Sequence, residues 1–352
     1  MYILFIVIIA LGMIIYRPRI IDVIAISFLG VLTYISTNVA DFSSYENIYY
    51  NIAPGKYYET GYGWYVINDL GRNLGLDYAG LKASLVVIGT LLIMSTVRYF
   101  LRCDPNMFWG LYLLYPALID LIQIRFFIAL CIVVFALRFL AHDNLRDIVI
   151  YVLLVIVAIS IHTSTSFFLL FALAKYFEKY RKYVYGIIVI FLITSTLFKN
   201  AIIQIIGIFA NTRQMSYVYA SNNTASYQDF IFYVLMLVAF MAISQQIYKI
   251  VKNNKSLYDQ REIMLAKLVS EINLCMLVLI PLLTFSSDFI RVQRISWILV
   301  YLLFTMLAEK NMYFSVGRLN IGSKLMSLTL ALLGYCIMLL HYAPVVVQGF
   351  FG

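Results

Sequence analysis

The segment NMFWGLYLLYPALIDLIQIRFFIALCIVVFALRFLA, residues 106–141, determines the fold class of this chain. Its two apolar runs, 106–119 and 126–141, flank a short segment that contains Gln123-Ile124-Arg125. A helix needs about 20 apolar residues to cross a bilayer, and such a helix has no polar face to present to water. The segment therefore predicts two successive transmembrane helices whose connection is very short and contains an arginine.

The rest of the chain repeats this pattern. Of its 352 residues, 63% are hydrophobic and 12% are charged, and the mean hydropathy is +0.89. The charged fraction is about half that of globular proteins, which excludes a soluble domain. We predict an all-α polytopic integral membrane protein with about twelve transmembrane helices in a single domain, residues 1–352. The predicted spans are residues 2–16, 20–37, 80–97, 106–119, 126–141, 148–161, 163–177, 183–198, 229–248, 263–286, 295–308 and 323–342.

The basic residues predict the orientation, because connections on the cytoplasmic side of a membrane are enriched in Lys and Arg. Alternate connections hold 18 of the 26 basic residues, so we assign these connections to the cytoplasm and place both termini outside. This distribution accounts for the net charge of +9, and nucleic-acid binding is not indicated. The eight basic residues on the outer side are Lys56, Arg72, Lys82, Arg125, Lys199, Arg213, Arg291 and Arg294.

Two outer connections are longer than a turn. Residues 38–79 hold eight tyrosines and one tryptophan, and the spacing of Tyr45 and Tyr49 would place both on one face of a helix. Residues 199–228 begin with the apolar stretch 201–210, which is too short to span the bilayer and is expected to be interfacial or re-entrant.

Four arginines assigned to the outer side lie at or inside the ends of spans. Their position is opposite to the usual enrichment of basic residues on the cytoplasmic side. They are Arg125, Arg213, Arg291 and Arg294. Arginine presents a planar set of donors that suits phosphate, so a lipid-linked diphosphate would be a fitting partner. The alternative is structural: Arg125 would pair with Asp120, Arg291 or Arg294 would pair with Asp288, or the side chains would extend to the lipid headgroups.

His162 and the acidic residues of the first outer loop are candidates for acid–base chemistry. His162 could act as a general base or bind phosphate, or it could be a structural histidine. A loop carboxylate could take the proton of an attacking sugar hydroxyl, while tyrosines offer flat apolar faces to a sugar. Otherwise the loop is an interfacial anchor. The acidic residues are Asp41, Glu46, Glu59, Asp69 and Asp77.

No second histidine stands at helical spacing from His162, so a metal centre is not indicated. Glu271 is the only acidic residue deep in a span, and we expect it to pair with Lys267 one helical turn earlier.

Five segments together resemble the EpsG/Wzy family of bacterial polysaccharide polymerases. They are Asp41-Phe42-Ser43-Ser44-Tyr45, Tyr58-Glu59-Thr60-Gly61-Tyr62, Gln123-Ile124-Arg125-Phe126-Phe127-Ile128-Ala129, Ile161-His162-Thr163-Ser164 and Arg294-Ile295. The resemblance covers roughly residues 1–310. The family often has Gln directly after the arginine, whereas Phe126 follows Arg125 here, so no role is transferred for that Gln.

The resemblance implies a GT-C-like, metal-independent glycosyltransferase without a cofactor, in the bacterial cytoplasmic membrane. It would transfer an undecaprenyl diphosphate-linked glycan onto a lipid-linked repeat unit at the outer face. Membrane lipids would surround it, and a chain-length regulator and a flippase of the same pathway would be its partners.

The implied site combines three groups of residues. Arginines bind the diphosphate, with Arg125 also stabilising the leaving group; an acid or histidine deprotonates the acceptor; and aromatic residues bind glycan. The arginines are Arg125, Arg213, Arg291 and Arg294; the candidate bases are Asp41, Glu59 and His162; the aromatic residues are Tyr45, Tyr58, Tyr62 and Trp64. A lipid-linked glycan ligase and a transporter or flippase of lipid-linked sugars are the alternatives, although a transporter would show two matching halves.

Overall fold

The computed structural model describes residues 2–14, 18–51, 61–101, 106–142, 144–209, 226–310, 312–316 and 319–351. These residues are almost entirely helical. The α-helices are α1 (Tyr2–Ile14), α2 (Pro18–Ile35), α3 (Phe42–Asn51), α4 (Tyr62–Asn73), α5 (Tyr78–Phe100), α6 (Asn106–Leu114), α7 (Ala117–Ile122), α8 (Ile124–Leu140), α9 (Leu145–Ile161), α10 (Ala174–Lys179), α11 (Arg181–Leu197), α12 (Lys199–Phe209), α13 (Tyr227–Asn253), α14 (Gln260–Cys275), α15 (Leu279–Leu282), α16 (Arg294–Glu309) and α17 (Ser323–Phe351). Short 3₁₀ helices cover Thr163–Leu173, Lys255–Leu257, Met276–Val278 and Ser287–Gln293.

Among the described residues, five helical segments are long and apolar enough to cross a membrane. They are Tyr78–Phe100, Tyr227–Asn253, Gln260–Leu282, Ser287–Glu309 and Ser323–Leu340. Two shorter apolar helices, Tyr2–Ile14 and Ile20–Ile35, precede them. The prediction of a helical, multi-pass membrane protein is therefore confirmed at this level.

The chain divides into two compact units. The first comprises Met1–Leu169, Ser256–Leu265 and Tyr301–Gly352, and the second comprises Leu170–Lys255 and Ala266–Val300. The prediction of a single transmembrane domain stays a prediction.

Helix α8 forms the centre of the first unit. It packs against α5 on one side and α9 on another, and its Phe127, Leu130 and Val134 side chains are fully buried. Helix α5 packs in turn on α2, while α1 packs on α6. Asp77 begins α5 by accepting a 2.7 Å hydrogen bond from the Gly80 backbone N–H, which is the role of an N-cap carboxylate.

A buried carboxylate joins three helices of this unit. Asp22 of α2 accepts a hydrogen bond from Arg98 of α5 and a second, 2.7 Å long, from the indole N–H of Trp109 in α6. Asp22 is buried, and these two donors compensate its loss of hydration.

In the second unit, α11 packs against α12 and α15, and α13 packs against the 3₁₀ helices Met276–Val278 and Ser287–Gln293. Phe240 and Trp297 meet edge to face at 4.8 Å between ring centroids. The predicted pair is confirmed: the Lys267 ammonium lies 3.7 Å from the Glu271 carboxylate.

A short pair of antiparallel β-strands departs from the all-α prediction, and two helices in the connection 38–79 add detail to it. Strands β1 (Tyr313–Val316) and β2 (Leu319–Gly322) pair antiparallel in the connection before α17, which the all-α prediction leaves without a strand. Aromatic and β-branched residues such as Tyr313, Val316 and Ile321 favour this extended form. The connection 38–79, which is predicted to lie on the outer side, contains the helices α3 and α4 in its described residues.

Candidate functional site

Aromatic side chains of the connection 38–79 pack against one another. On α3, Tyr45 lies 5.9 Å from Trp64 of α4, and Tyr49 lies 5.8 Å from Tyr78 of α5, measured between ring centroids. Tyr49 is buried and donates a 2.6 Å hydrogen bond to the Leu76 carbonyl. Burial raises the pKa of the Tyr49 hydroxyl above its ordinary value, so it remains a neutral donor. The tyrosines predicted to share a helix face therefore link α3 to α4 and α5.

Arg125 lies beside this aromatic group. Its guanidinium carbon is 6.0 Å from the centre of the Tyr45 ring and 5.6 Å from that of Trp64, and one N–H donates a 3.1 Å hydrogen bond to the Ile161 carbonyl at the end of α9. Cation–π contacts and a carbonyl acceptor fix both the position and the orientation of an arginine. Three helices, α3, α4 and α9, thus position Arg125 at the start of α8.

Two glycines allow α4 to approach α9 this closely. Gly61 has a φ of 89°, and a Cβ there would lie 3.0 Å from the Ser160 carbonyl oxygen. A Cβ at Gly63 would overlap Ser160 Oγ and would lie 2.9 Å from the Ser160 carbonyl carbon. Any larger residue would push Trp64, the residue after Gly63, away from Arg125. The role of Gly61, which belongs to one of the segments that resemble the EpsG/Wzy family, is therefore steric.

His162 directly follows the carbonyl that Arg125 contacts, and its extended backbone ends α9. The ring meets that of Phe126 edge to face at 5.3 Å between centroids. The Ser164 backbone N–H donates a 3.3 Å hydrogen bond to His162 Nδ1. Because Nδ1 is an acceptor in this geometry, the neutral ring carries its proton on Nε2.

Asp41 precedes α3 and is exposed, with a φ of 65° that is uncommon outside glycine. Its carboxylate acts electrostatically on the Tyr78 hydroxyl and on the Lys82 ammonium. The same hydroxyl is also influenced by Tyr45 and by Arg125. Asp41 and Arg125 therefore both act electrostatically on Tyr78, and all three residues belong to the first unit.

Ion pairs with Asp120 or Asp288 are the predicted structural alternative to phosphate binding by the arginines. Arg291 pairs with Asp288 at 2.6 Å, as that alternative expects, and the Arg294 Nε–H points to the Arg291 carbonyl at 3.4 Å. Asp120 is buried and accepts a 3.0 Å hydrogen bond from Tyr112. Arg291 and Arg294 belong to the second unit, so their predicted gathering with Arg125 stays a prediction.

Three predicted site residues, Tyr58, Glu59 and Arg213, lie outside the described residues. Of the remaining aromatic candidates, Tyr62 is 63% exposed, whereas Trp64 is only 1% exposed. No group of three or more His, Cys, Asp or Glu side chains that could hold a metal ion occurs in the described part of the chain.

A comparison with protein-family models matches residues 19–351 to the model described as EpsG family. The chain belongs to the EpsG family. Membership supports a polysaccharide polymerase at the level of the family. Comparison with curated proteins gives no match, and comparison with solved structures gives none.

The structure also shows residues near the site of this EpsG family member that are not among the predicted site residues. The sequence places Lys82 only among the outward basic residues, yet it is 1% exposed and lies 5.5 Å from the centre of the Phe42 ring. Asn68 on α4 and Tyr78, one turn before Lys82 on α5, are also buried. The signal in the sequence is the position of Lys82, a cation inside an otherwise apolar run.

Proposed function

We propose that this EpsG family member is a metal-independent glycosyltransferase that extends a polysaccharide at the outer face of the bacterial cytoplasmic membrane. Its donor is a glycan linked to undecaprenyl diphosphate, and its acceptor is a lipid-linked repeat unit. The proposal includes about twelve membrane spans, a GT-C-like arrangement and both termini outside.

The observation that carries the proposal is the fixed guanidinium of Arg125, held by the Ile161 carbonyl and the rings of Tyr45 and Trp64. A preorganised cation costs little reorganisation when negative charge develops, which is the property that a diphosphate leaving group requires. The planar donor set of arginine also matches phosphate oxygens. The additional arginines proposed to bind the diphosphate are Arg213, Arg291 and Arg294.

In the proposed reaction, a hydroxyl of the acceptor sugar attacks the anomeric carbon of the donor. The new glycosidic C–O bond forms while the C–O bond to the diphosphate breaks, and the lipid diphosphate leaves with the electron pair. Asp41 takes the proton of the hydroxyl. Asp41 is the best base among the described candidates, because His162 Nδ1 already accepts from the Ser164 N–H.

His162 is then a hydrogen-bond donor through Nε2–H, directed to a phosphate or sugar oxygen beside Arg125. Tyr45, Tyr58 and Tyr62 bind the glycan through their ring faces and hydroxyls. A chain-length regulator and a flippase of the same pathway are the proposed partners.

The test is reconstitution of the purified full chain in liposomes with the lipid-linked repeat unit. We expect a ladder of products that grow by whole repeat units while they remain attached to the lipid. Transfer of a single unit to an acceptor that is not lipid-linked would indicate a ligase instead. Movement of the lipid-linked sugar across the bilayer without growth would indicate a transporter.

A further inference from the structure

Four buried polar atoms near the proposed site have no hydrogen-bond partner among the described residues. They are the indole N–H of Trp64, Oδ1 of Asn68, the hydroxyl of Tyr78 and the ammonium of Lys82. Each of the four side chains is at most 1% exposed. A buried polar group that has lost its hydration without gaining a partner destabilises the folded state, so each such group requires an explanation.

These atoms, which we call the inner polar group, belong to adjoining surfaces of two packed helices. Trp64 and Asn68 stand one turn apart on α4, where the Asn68 amide N–H donates a 2.9 Å hydrogen bond to the Trp64 carbonyl. Tyr78 and Lys82 stand one turn apart on α5, against which α4 packs.

Two residues of α3 connect the halves of the inner polar group. The ring of Tyr45 touches Trp64, and its hydroxyl acts electrostatically on that of Tyr78. The ring of Phe42 lies 5.0 Å from that of Tyr78 and 5.5 Å from the Lys82 ammonium. Phe42 and Tyr45 therefore join the two halves of the group, and Trp64 places the group next to Arg125.

Of the four buried groups, the charged ammonium of Lys82 most needs a binding partner. An ammonium buried inside a membrane-spanning helix is costly, and such residues most often mark a binding or transport function. The Lys82 ammonium makes a cation–π contact with the Phe42 ring and interacts electrostatically with the Asp41 carboxylate. Neither group supplies it with a hydrogen bond within the described structure. An anionic oxygen placed against Lys82 would supply both a hydrogen bond and a balancing charge.

The other members of the group define the rest of the ligand. Asn68 Oδ1 accepts a hydrogen bond, the Trp64 indole N–H donates one, and the Tyr78 hydroxyl does either. A ligand that offers hydroxyl groups on one ring satisfies all three. The rings of Phe42 and Tyr45 add the flat apolar faces against which a sugar ring packs.

A sugar that carries a carboxylate supplies both the anionic oxygen for Lys82 and the hydroxyl groups for the other three side chains. A diphosphate would satisfy Lys82 but not the neutral donors and acceptor, and the planar donor set of Arg125 suits it better. We propose that the inner polar group is a subsite for an acidic sugar of the acceptor glycan, with the carboxylate bound to Lys82. This assignment rests on the proposed function, because Asp41, the proposed base, directly precedes Phe42, whose ring lies 5.5 Å from the Lys82 ammonium, and this places the subsite on the acceptor side.

The experiment measures binding alone, on the full chain in nanodiscs and without any donor. The probes are the repeat-unit oligosaccharide released from its lipid, the same oligosaccharide with its carboxyl groups reduced to alcohols, and inorganic pyrophosphate. The protein is compared as the wild type, Lys82→Met, Lys82→Arg and the matched control Lys249→Met, whose lysine is exposed in the second unit.

We expect the wild type to bind the native oligosaccharide about ten- to a hundredfold more tightly than the reduced one, as the loss of a charge-assisted hydrogen bond implies. Lys82→Met should bind both oligosaccharides equally weakly, Lys82→Arg should recover part of the difference, and Lys249→Met should match the wild type. Pyrophosphate binding should be the same in all four proteins.

Equal affinity of the wild type for the two oligosaccharides would overturn the proposal, and it needs no variant that must fold. A loss of pyrophosphate binding in Lys82→Met, with oligosaccharide binding retained, would also overturn it and would assign Lys82 to the diphosphate. Because no chain growth is measured, these outcomes are independent of whether the reconstituted protein forms a ladder, which tests the proposed function separately.

Discussion

The substitution Gly63→Ala tests whether α4 and α9 approach as closely as the structure shows. The new Cβ would lie 2.9 Å from the Ser160 carbonyl carbon, whereas two carbons pack favourably at about 3.5 Å, so one helix must move by about 0.6 Å. Overpacking of this kind costs about 1 to 3 kcal/mol, and the better helix propensity of alanine returns about 1 kcal/mol at most. The expected net loss of stability is about 0 to 2 kcal/mol, so the variant should always be less stable than one in which the same substitution meets open space.

The displacement also has a functional consequence. Trp64 moves with α4 and no longer holds Arg125 in place, so chain growth should slow by about tenfold even where the protein is folded. Thermal unfolding of the purified protein measures the first effect, and the rate of ladder growth at saturating substrate measures the second.

Gly186→Ala is the matched control. Gly186 lies in α11, and a Cβ at this position would face open space with no atom within 4 Å, so the same substitution should be neutral or slightly stabilising. If Gly63→Ala matched Gly186→Ala in both unfolding temperature and growth rate, the close approach of α4 to α9 would be wrong.

Three further predictions concern topology, the glycan and metal dependence. In a variant without native cysteines, a membrane-impermeant thiol reagent should label Asp41→Cys in intact cells but not Lys252→Cys, and the reverse pattern would contradict the orientation. Tyr45→Ala should raise the acceptor concentration required for growth more than Tyr62→Ala does, because Tyr45 contacts both Arg125 and Trp64; normal growth of both variants at limiting acceptor would make the loop an interfacial anchor. EDTA should leave the ladder unchanged, and a loss that magnesium restores would contradict the metal-independent mechanism.

The helices could be predicted from the sequence because a bilayer demands long apolar segments. The run 80–97 corresponds to Tyr78–Phe100, and the run 229–248 corresponds to Tyr227–Asn253. Local breaks were harder to predict. The single run 106–119 contains the end of α6 and the start of α7, because Pro116 has no backbone N–H to continue a helix.

The candidate site could be predicted only in part. The spacing of Tyr45 and Tyr49 indicates a helix, but periodicity does not say which helix that face meets, so the contact of Tyr45 with Trp64 and Arg125 required the structure. For Lys82, the sequence offers only the position of a cation inside an apolar run. A count of charges assigns this lysine to one side of the membrane and cannot show that it is buried next to the Phe42 ring.

The charge-conserving substitution Arg125→Lys tests the central claim most directly. Lysine keeps the positive charge but lacks the planar donor set, so it should not reproduce both the Ile161 hydrogen bond and a bidentate contact with phosphate. The matched control is Arg181→Lys, whose arginine pairs with Glu178 at 2.5 Å on a partly exposed surface.

The measurement is the length distribution of the lipid-linked ladder in liposomes, at equal amounts of folded protein. Arg125→Lys should shorten the products and reduce the growth rate by about a hundredfold, as the loss of one stabilising donor in a transition state implies, while Arg181→Lys should match the wild type. A full-length ladder from Arg125→Lys at the wild-type rate would contradict the account and leave Arg125 with a structural role.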